Sequence, residues 1–370
     1  MRYLGVIEGF YGRSWPWSAR AQYPQFMAGV GLNSYIYAPK SDSKLRSNWR
    51  EPWTEQELAP LIKLATECKR CDIGFGVGLS PLGLTAAALE SNGLSMLDAR
   101  LEQIAVIGCD FLAILFDDVA SDGNAMAQRQ LAIVEHVSGS GCATNYLVCP
   151  TYYCTDPVLE KLFGLRPKNY WRELGAGLDS RIDYFWTGEQ VCSRHYSEDN
   201  LQYISEQFRR APVLWDNYPV NDGEKLSRYL HLKPFNQQAD AGVLAALTAG
   251  HFANPMNQAC LSQLSLSTLA VQYMPHGTDI RHKRGAEANS AEYAWRAFAE
   301  QKLGRQLAMD LIADVELFQS QGLDALDDVR KAALREKYGQ YTSGFACELA
   351  TEIVDWLDEK YRFDPACLTG

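Results

Sequence analysis

Two adjacent aspartates, Asp117 and Asp118, come directly after an apolar run from Phe111 to Phe116. Such a run suits a strand that is buried on both faces, as in a parallel sheet. Proteins of the α/β class place their chemistry at the carboxyl ends of such strands. Two carboxylates at one strand end repel each other and lose solvent, and both effects favour protonation of one of them near neutral pH. The pair is therefore the predicted reactive centre.

Polar and aromatic residues also follow the ends of other predicted strands. They are Tyr11, Lys40, Tyr153, Trp186, Trp215, Asn217 and Asn254, with Asp222 a little further on. Aromatic rings stack on the C–H faces of a sugar, while amides and acids hydrogen-bond its hydroxyls. The set therefore favours a carbohydrate ligand, and glycosidase chemistry would need a general acid with a raised pKa.

The elements that position these residues alternate between strand and helix. The predicted strands are Tyr3–Ile7, Ser34–Tyr37, Ile73–Leu79, Phe111–Phe116, Tyr146–Val148, a segment near Tyr184, Pro212–Leu214 and Ala241–Leu247. About eight such units predict an α/β fold, a (β/α)8 TIM-type barrel, whose strand ends share one face. We therefore expect the polar residues to converge on one pocket. A doubly wound sheet is the alternative, but its Gly-x-Gly-x-x-Gly fingerprint is missing.

The pattern changes after about Pro275, where a polar connector precedes a helical region. We therefore predict a catalytic barrel over residues 1–280 and a small all-helical C-terminal domain over residues 285–370. Apolar residues in the C-terminal helices leave a homodimer open as a further partner.

Composition narrows the class of protein. The net charge of -10 and the pI of about 5.2 disfavour a nucleic-acid partner or an anionic membrane surface, because both need a basic protein surface. The N-terminus shows no apolar signal core, so we expect a cytoplasmic protein. The ten cysteines lack a framework and are expected to be reduced. We expect no cofactor and no metal site.

The aspartate pair has two other interpretations. Adjacent aspartates can cap a helix that follows a strand. They can also bind Mg²⁺, but no histidine or third acid is adjacent, and Lys40 would oppose a cation.

The spacing of the pair argues for an unusual mechanism. The usual retaining glycosidase needs two carboxyls about 5 Å apart on opposite sides of the sugar. Neighbours at one strand end approach from the same side. This favours attack by the substrate's own 2-acetamido oxygen, a recognised exception to the two-carboxylate scheme.

A series of motifs resembles the family 84 glycoside hydrolases, the O-GlcNAcase type of β-N-acetylglucosaminidase. The first two are Gly5-Val6-Ile7-Glu8-Gly9-Phe10-Tyr11-Gly12-Arg13 and Leu32-Asn33-Ser34-Tyr35-Ile36-Tyr37-Ala38-Pro39-Lys40. The others are Trp49-Arg50-Glu51, Leu115-Phe116-Asp117-Asp118-Val119, Cys149-Pro150-Thr151-Tyr152-Tyr153-Cys154, Trp186-Thr187-Gly188, Trp215-Asp216-Asn217, Asn221-Asp222 and Asn254-Pro255. They come in the family's order over residues from about 3 to 275.

The resemblance implies retaining, substrate-assisted removal of terminal β-linked N-acetylglucosamine through an oxazoline intermediate. By position, Asp117 resembles the carboxylate that holds the acetamido N–H, and Asp118 the general acid and then base. The walls of the N-acetyl pocket would be Cys149, Tyr153 and Trp215. The contacts to sugar hydroxyls would come from the Gly9 backbone, Lys40, Asn217, Asp222 and Asn254. Tyr11 lies in the matching first loop, with a role that is less defined.

The loop after the third strand departs from the family pattern. It reads Ser80-Pro81-Leu82-Gly83-Leu84, without the aspartate that usually follows. The loop after Lys40 also departs, because it reads Ser41-Asp42 where the family usually has a paired acid. These loops leave the aglycone open: a glycosylated protein, a wall fragment or an oligosaccharide. The alternatives in function are a barrel that binds N-acetylglucosamine without cleaving it, and a substrate-assisted glycosidase acting on chito-oligosaccharides.

Overall fold

The computed structural model describes most of the chain, which divides into two compact units. The described residues are 2–84, 93–117, 119–120, 123, 125–235, 239, 242–274 and 291–369. The first unit comprises Met1–Gly9, Leu32–Asn217 and Gln238–Phe252, and the second comprises Phe10–Gly31, Tyr218–Gln237 and Ala253–Gly370. The predicted domain boundary between residues 280 and 285 lies outside the described residues, so the division at that point stays a prediction.

Eight strands form a closed barrel in chain order. They are β1 (Tyr3–Ile7), β2 (Ser34–Tyr37), β3 (Gly74–Leu79), β4 (Phe111–Leu115), β5 (Asn145–Cys149), β6 (Asp183–Trp186), β7 (Val213–Asp216) and β8 (Gly250–Ala253). Each strand from β1 to β6 pairs in parallel with the next one. The predicted (β/α)8 barrel is confirmed.

Helices follow the strands and form the C-terminal region. The first unit contains α3 (Glu55–Arg70), α4 (Gly93–Ile107), α5 (Met126–Gly139), α6 (Val158–Phe163), α7 (Tyr170–Gly177), α8 (Glu198–Phe208) and α9 (Val243–Leu247). The second unit contains α1 (Trp17–Arg20), α2 (Tyr23–Gly29), α10 (Ala259–Leu266), α11 (Ala291–Leu303), α12 (Arg305–Glu316), α13 (Asp328–Gly339) and α14 (Gly344–Leu357). The helical character predicted for the C-terminal region is confirmed in the described residues.

The alternating glycines of β3 serve packing inside the barrel. A Cβ on Gly74 would stand 2.4 Å from Cζ of Phe111, and one on Gly76 would stand 2.9 Å from its Cδ2. The ring of Phe111 therefore occupies the space that side chains on β3 would fill. This explains why the glycines alternate along a strand instead of opening a helix.

The last predicted strand is wrong. The segment Ala241–Leu247 was expected to be a strand because it is apolar, but Val243–Leu247 forms α9, and residue 241 lies outside the described residues. Alanine and leucine favour helix over strand. The strand is Gly250–Ala253, in which His251 and Phe252 are fully buried. Asn254 still comes directly after a strand.

The second unit has its own hydrophobic core. Met256 and the α10 residues Cys260, Leu261 and Leu264 belong to the same buried cluster as residues of α11 to α14. Trp356 of α14 is 1% exposed, and its indole N–H donates to the carbonyl oxygen of Ser227 at 3.1 Å. Segments that precede and follow residue 275 therefore share one core.

Candidate active site

The centre of the site in the first unit is an ion pair between Lys40 and Asp117. Lys40 comes three residues after β2, and Asp117 comes two residues after β4. The Lys40 side chain is 2% exposed and that of Asp117 is 12% exposed. Because a buried charge is costly unless an opposite charge compensates it, the ammonium stabilises Asp117 as a carboxylate. An anion is thus fixed at the end of β4.

A buried hydrogen-bond network fixes the end of β4. The amide of Phe116 donates to the carbonyl oxygen of Cys149 at 2.9 Å, and the Thr151 hydroxyl donates to the carbonyl oxygen of Phe116 at 2.8 Å. Gln130 donates to the Thr151 hydroxyl at 3.0 Å and accepts from the Tyr170 hydroxyl at 2.5 Å. Satisfied buried networks of this kind restrict a site to one geometry. The backbone that leads into Asp117 is held in this way.

Trp215 connects three of the predicted binding residues. Its indole N–H donates to Oδ1 of Asn217 at 3.0 Å, and Nζ of Lys40 lies 5.8 Å from the centroid of its ring. The side-chain amide of Asn217 in turn donates to the carbonyl oxygen of Val191 at 2.8 Å. A Cβ on Gly9 would stand 2.2 Å from Cζ2 of Trp215, so the ring packs on a backbone that only glycine allows.

Of the two remaining predicted residues of the first unit, one ends β5 and the other follows it. Cys149 is the last residue of β5 and is 1% exposed. Tyr153 is also buried, and its carbonyl oxygen accepts from the amide of Thr187 at 2.9 Å. The loop after β5 is thereby attached to the loop after β6.

The second unit contains the other three predicted binding residues, Tyr11, Asp222 and Asn254, all buried. The amide of Tyr11 donates to Oδ2 of Asp222 at 2.7 Å, so the structure brings two of the three together. The predicted placement of all the site residues in one pocket stays a prediction.

A polar network around Tyr11 was not predicted as part of the site. The side-chain amide of Asn257 donates to the carbonyl oxygen of Tyr11 at 2.7 Å, and its backbone N–H donates to Oδ1 of Asn221 at 3.2 Å. Asn221 donates to Oε1 of Gln258 at 2.9 Å. The signal in the sequence is the run of amides beside Asn254-Pro255, but nothing in it shows that they reach the loop after β1.

Two buried carboxylates inside the first unit also escaped prediction. Glu8, at the end of β1, is fully buried and accepts from the Tyr35 hydroxyl. Asp216, at the end of β7, is fully buried, and Nε2 of His251 lies 3.0 Å from its Oδ2. Both lie in the quoted motifs. An acidic residue at the end of an apolar strand is the sequence signal that could have identified them.

Four further predictions concern Asp118, metal ions, the cysteines and membrane-spanning helices. Asp118 lies outside the described residues. Among the residues that the structure describes, no group of three or more His, Cys, Asp and Glu side chains could hold a metal ion. No disulfide joins any of the ten cysteines, all of which lie within the described residues. None of the described helices is both long enough and apolar enough to cross a membrane.

Comparison with known proteins identifies the family. A family model described as beta-N-acetylglucosaminidase matches residues 4–306. The rat (Rattus norvegicus) and mouse (Mus musculus) proteins named Protein O-GlcNAcase are each 30% identical over 286 residues, which are 75% of this chain and 30% of theirs. The chain thus spans about 30% of the length of these curated relatives.

A solved structure shows the same architecture. It is a mutant of an O-GlcNAc hydrolase from Thermobaculum terrenum, with a TM-score of 0.74 and 28% sequence identity. The match covers 97% of this chain and 81% of that chain. With the family model matching most of the sequence, the resemblance to the family 84 glycoside hydrolases is confirmed, and this chain belongs to the beta-N-acetylglucosaminidase family.

Proposed function

We propose that this protein is a glycoside hydrolase that removes terminal β-linked N-acetylglucosamine with retention of configuration. The observation that carries the proposal is the buried ion pair of Lys40 and Asp117 at the strand ends of a barrel in this family. A carboxylate held as an anion suits a group that must accept an N–H and stabilise developing positive charge.

In the proposed first step, Asp117 accepts a hydrogen bond from the acetamido N–H of the substrate. The acetamido oxygen attacks the anomeric carbon as the bond to the leaving oxygen breaks. Asp118 donates its proton to that oxygen, so a free alcohol departs and an oxazolinium ion remains. The Asp117 carboxylate stabilises the positive charge of this intermediate.

In the second step, the proposed role of Asp118 is reversed. Its carboxylate takes a proton from water, whose oxygen attacks the anomeric carbon on the face that the alcohol left. The bond to the acetamido oxygen breaks and the acetamide is restored. Two inversions give net retention. Cys149, Tyr153 and Trp215 would enclose the N-acetyl group.

The contacts to the sugar hydroxyls are proposed from the family resemblance. They involve the Gly9 backbone, Lys40, Asn217, Asp222 and Asn254, with Tyr11 in the neighbouring loop. We propose O-GlcNAc-bearing glycoconjugates as substrates, because the relatives are named for that sugar. The Leu82-Gly83 loop, which lacks the usual aspartate, is fixed by Trp49, whose indole N–H donates to the Leu82 carbonyl oxygen at 2.9 Å.

A substrate panel tests this proposal. Aryl β-N-acetylglucosaminides, chito-oligosaccharides and O-GlcNAc peptides are offered separately, and the anomer first released is identified by NMR. Turnover of the aryl glycoside and the peptide with release of the β-anomer is expected. Binding of N-acetylglucosamine without turnover would favour the non-hydrolytic barrel. Preference for chito-oligosaccharides over the peptide would favour the other glycosidase.

An intermediate mimic tests the nucleophile. A thiazoline fused to the sugar copies the proposed oxazoline and should bind far more tightly than N-acetylglucosamine itself, because enzymes bind species close to the transition state most tightly. Equal affinity for the two compounds would contradict attack by the acetamido group.

A further inference from the structure

The last residues of the chain lie along the loop that follows β1, within the second unit. After α14 ends at Leu357, the ring of Tyr361 lies under the guanidinium of Arg13, 4.9 Å from its centroid. Arg13 also pairs with Asp355 at 3.0 Å. The carbonyl oxygen of Arg362 would be 3.5 Å from a Cβ on Gly12. The C-terminal tail, residues 361–369, is therefore attached to the loop that carries Tyr11.

A turn then brings Cys367 to Asp222. The amide of Cys367 donates to the carbonyl oxygen of Asp364 at 2.9 Å, which closes a β-turn with Pro365 at its second position. The Asp364 side chain accepts from the amide of Ala366, also at 2.9 Å. Proline fixes the backbone angle that this position requires. The turn leaves the Cys367 thiol half-buried.

The thiol of Cys367 lies against Asp222. Its Sγ is 4.0 Å from Oδ1 of Asp222, while Oδ2 accepts the Tyr11 amide proton. The two carboxylate oxygens thus face different segments, the first loop on one side and the tail on the other. Asp222 is only 6% exposed. A sugar hydroxyl that bonds to Asp222 must fit beside the thiol.

We propose that Cys367 is a specificity-determining residue, the wall that limits the space beside Asp222. This rests on the proposed function, in which Asp222 binds a sugar hydroxyl. The wall makes the enzyme reject a sugar that carries a substituent on that hydroxyl, because even one extra methyl group in a filled site forces neighbours to move. Truncating the thiol opens this space for that substituent alone.

A panel of methyl ethers tests the proposal. Aryl N-acetylglucosaminides methylated on O3, O4 or O6 are compared with the unsubstituted compound. The three proteins are wild type, Cys367→Ala and Cys347→Ala. Cys347 is the matched control because it is a half-buried cysteine that lies on α14, outside the tail. For one ether, the ratio of its kcat/KM to that of the unsubstituted compound should rise about 10-fold in Cys367→Ala. The ratios for the other two ethers, and all ratios in Cys347→Ala, should stay at wild-type values.

The outcomes separate this inference from the function on which it rests. Identical ether profiles in wild type and Cys367→Ala, with the unsubstituted compound turned over, would overturn the inference and leave the function intact. No turnover of the unsubstituted compound by wild type would overturn the function. A uniform change across all three ethers would mean that the tail acts only on folding, and it would overturn the inference too.

A thiol reagent gives a second readout that does not depend on turnover. Methyl methanethiosulfonate converts a thiol to a methyl disulfide and releases methanesulfinate. Modification of Cys367, followed by mass spectrometry, should slow at least several-fold when N-acetylglucosamine is present, and modification of Cys347 should not. In activity assays, the reagent should raise KM in wild type and leave KM of Cys367→Ala unchanged. Equal modification rates with and without the sugar would contradict the wall.

Discussion

Lys40 and Asp117 are both withdrawn from water, so each charge depends on the other. The Lys40 ammonium is almost fully buried, and the Asp117 carboxylate is nearly so. Breaking a buried pair from one side leaves a charge without compensation, which costs more than the pair itself contributes. This asymmetry separates the stability of the site from its chemistry.

Replacing Lys40 with methionine should destabilise the protein and impair turnover. The expected loss in the free energy of unfolding is about 3–5 kcal/mol, because Asp117 stays buried without its ammonium. Urea unfolding measures it. Lys44→Met is the matched control, because Lys44 pairs with a solvent-exposed carboxylate, that of Glu57, and its loss should be clearly smaller than that of Lys40→Met.

The double variant Lys40→Met/Asp117→Asn separates the two effects. Removing both charges should restore much of the lost stability while activity stays low, because the amide cannot stabilise the positive intermediate. Recovery of activity in the double variant would contradict the role proposed for Asp117.

The two aspartates should respond differently to the leaving group. Asp118→Ala should lose about 10²–10⁴-fold in kcat/KM on alkyl or peptide glycosides, and much less on dinitrophenyl glycosides that need no proton. Asp117→Ala should lose activity on both kinds. Rates plotted against the leaving-group pKa measure this. Equal losses for every leaving group in Asp118→Ala would show that it is not the general acid.

The sequence predicts both partners of the ion pair as site residues because each follows a strand, and that role stays a prediction. Their direct contact was not predicted. Lys40 was expected to bind the sugar and to repel a cation, and nothing local shows that it spans to the end of β4. The contact arises from the barrel, which brings together chain segments 77 residues apart.

At the scale of elements, the N-terminus of α10 is capped by an acid from α14. Glu352 accepts from the amides of Cys260 at 3.0 Å and Leu261 at 2.9 Å. Burial raises its pKa from 4.5 to about 7, against the lowering effect of the amide donors. Because the folded state opposes ionisation, the stability that this group contributes is complete below pH 4.5 and is lost as the pH rises to about 7.

Glu352→Gln should therefore flatten the dependence of stability on pH. The melting temperature of wild type should fall relative to that of the variant as pH rises from about 5 to 8, because glutamine cannot ionise. Scanning calorimetry in a pH series measures this difference. Glu348→Gln removes an exposed carboxylate one turn earlier on α14 and is the control for the loss of a charge. Parallel curves for Glu352→Gln and wild type would contradict the assignment.

Capping chemistry near in sequence was predictable, and packing at a distance was not. The spacing of Thr54 and Glu57 is a local signature of a capping box, and the two side chains form one. The cap on α10 comes from 91 residues further along the chain, so no local pattern reveals it. The strand predicted at 241–247 failed for a related reason, because an apolar run alone does not separate a short buried helix from a strand.

At the scale of the whole molecule, the core of the second unit joins residues before and after 275. If the chain is cut after residue 284, Met256, Leu261 and Leu264 lose the partners that bury them. A fragment of residues 1–284 should lack a cooperative thermal transition and bind a hydrophobic dye. Circular dichroism and dye fluorescence measure this. A cooperative transition in the fragment would instead show that residues 1–284 fold alone.

The fold class followed from the sequence because each strand-helix unit has a local period. The candidate site was predicted on the ground that barrels place strand ends together, and the placement of its residues in one pocket stays a prediction. The sequence does not show which segments make up the second unit, because most of the barrel separates those segments along the chain. The contact of Cys367 with Asp222 joins residues 145 positions apart, and neither residue type suggests the other.

The close packing of Gly9 on Trp215 means that positions 9 and 215 should co-vary in evolution. Any side chain at position 9 would overlap the indole ring of Trp215. That ring is fixed by its hydrogen bond to Asn217 and by an edge-to-face contact with Phe185, whose ring centroid lies 5.3 Å away. Neither position can change first without loss, so substitutions there are expected to occur together. Among homologues, a residue larger than glycine at position 9 should appear only where position 215 carries something smaller than tryptophan.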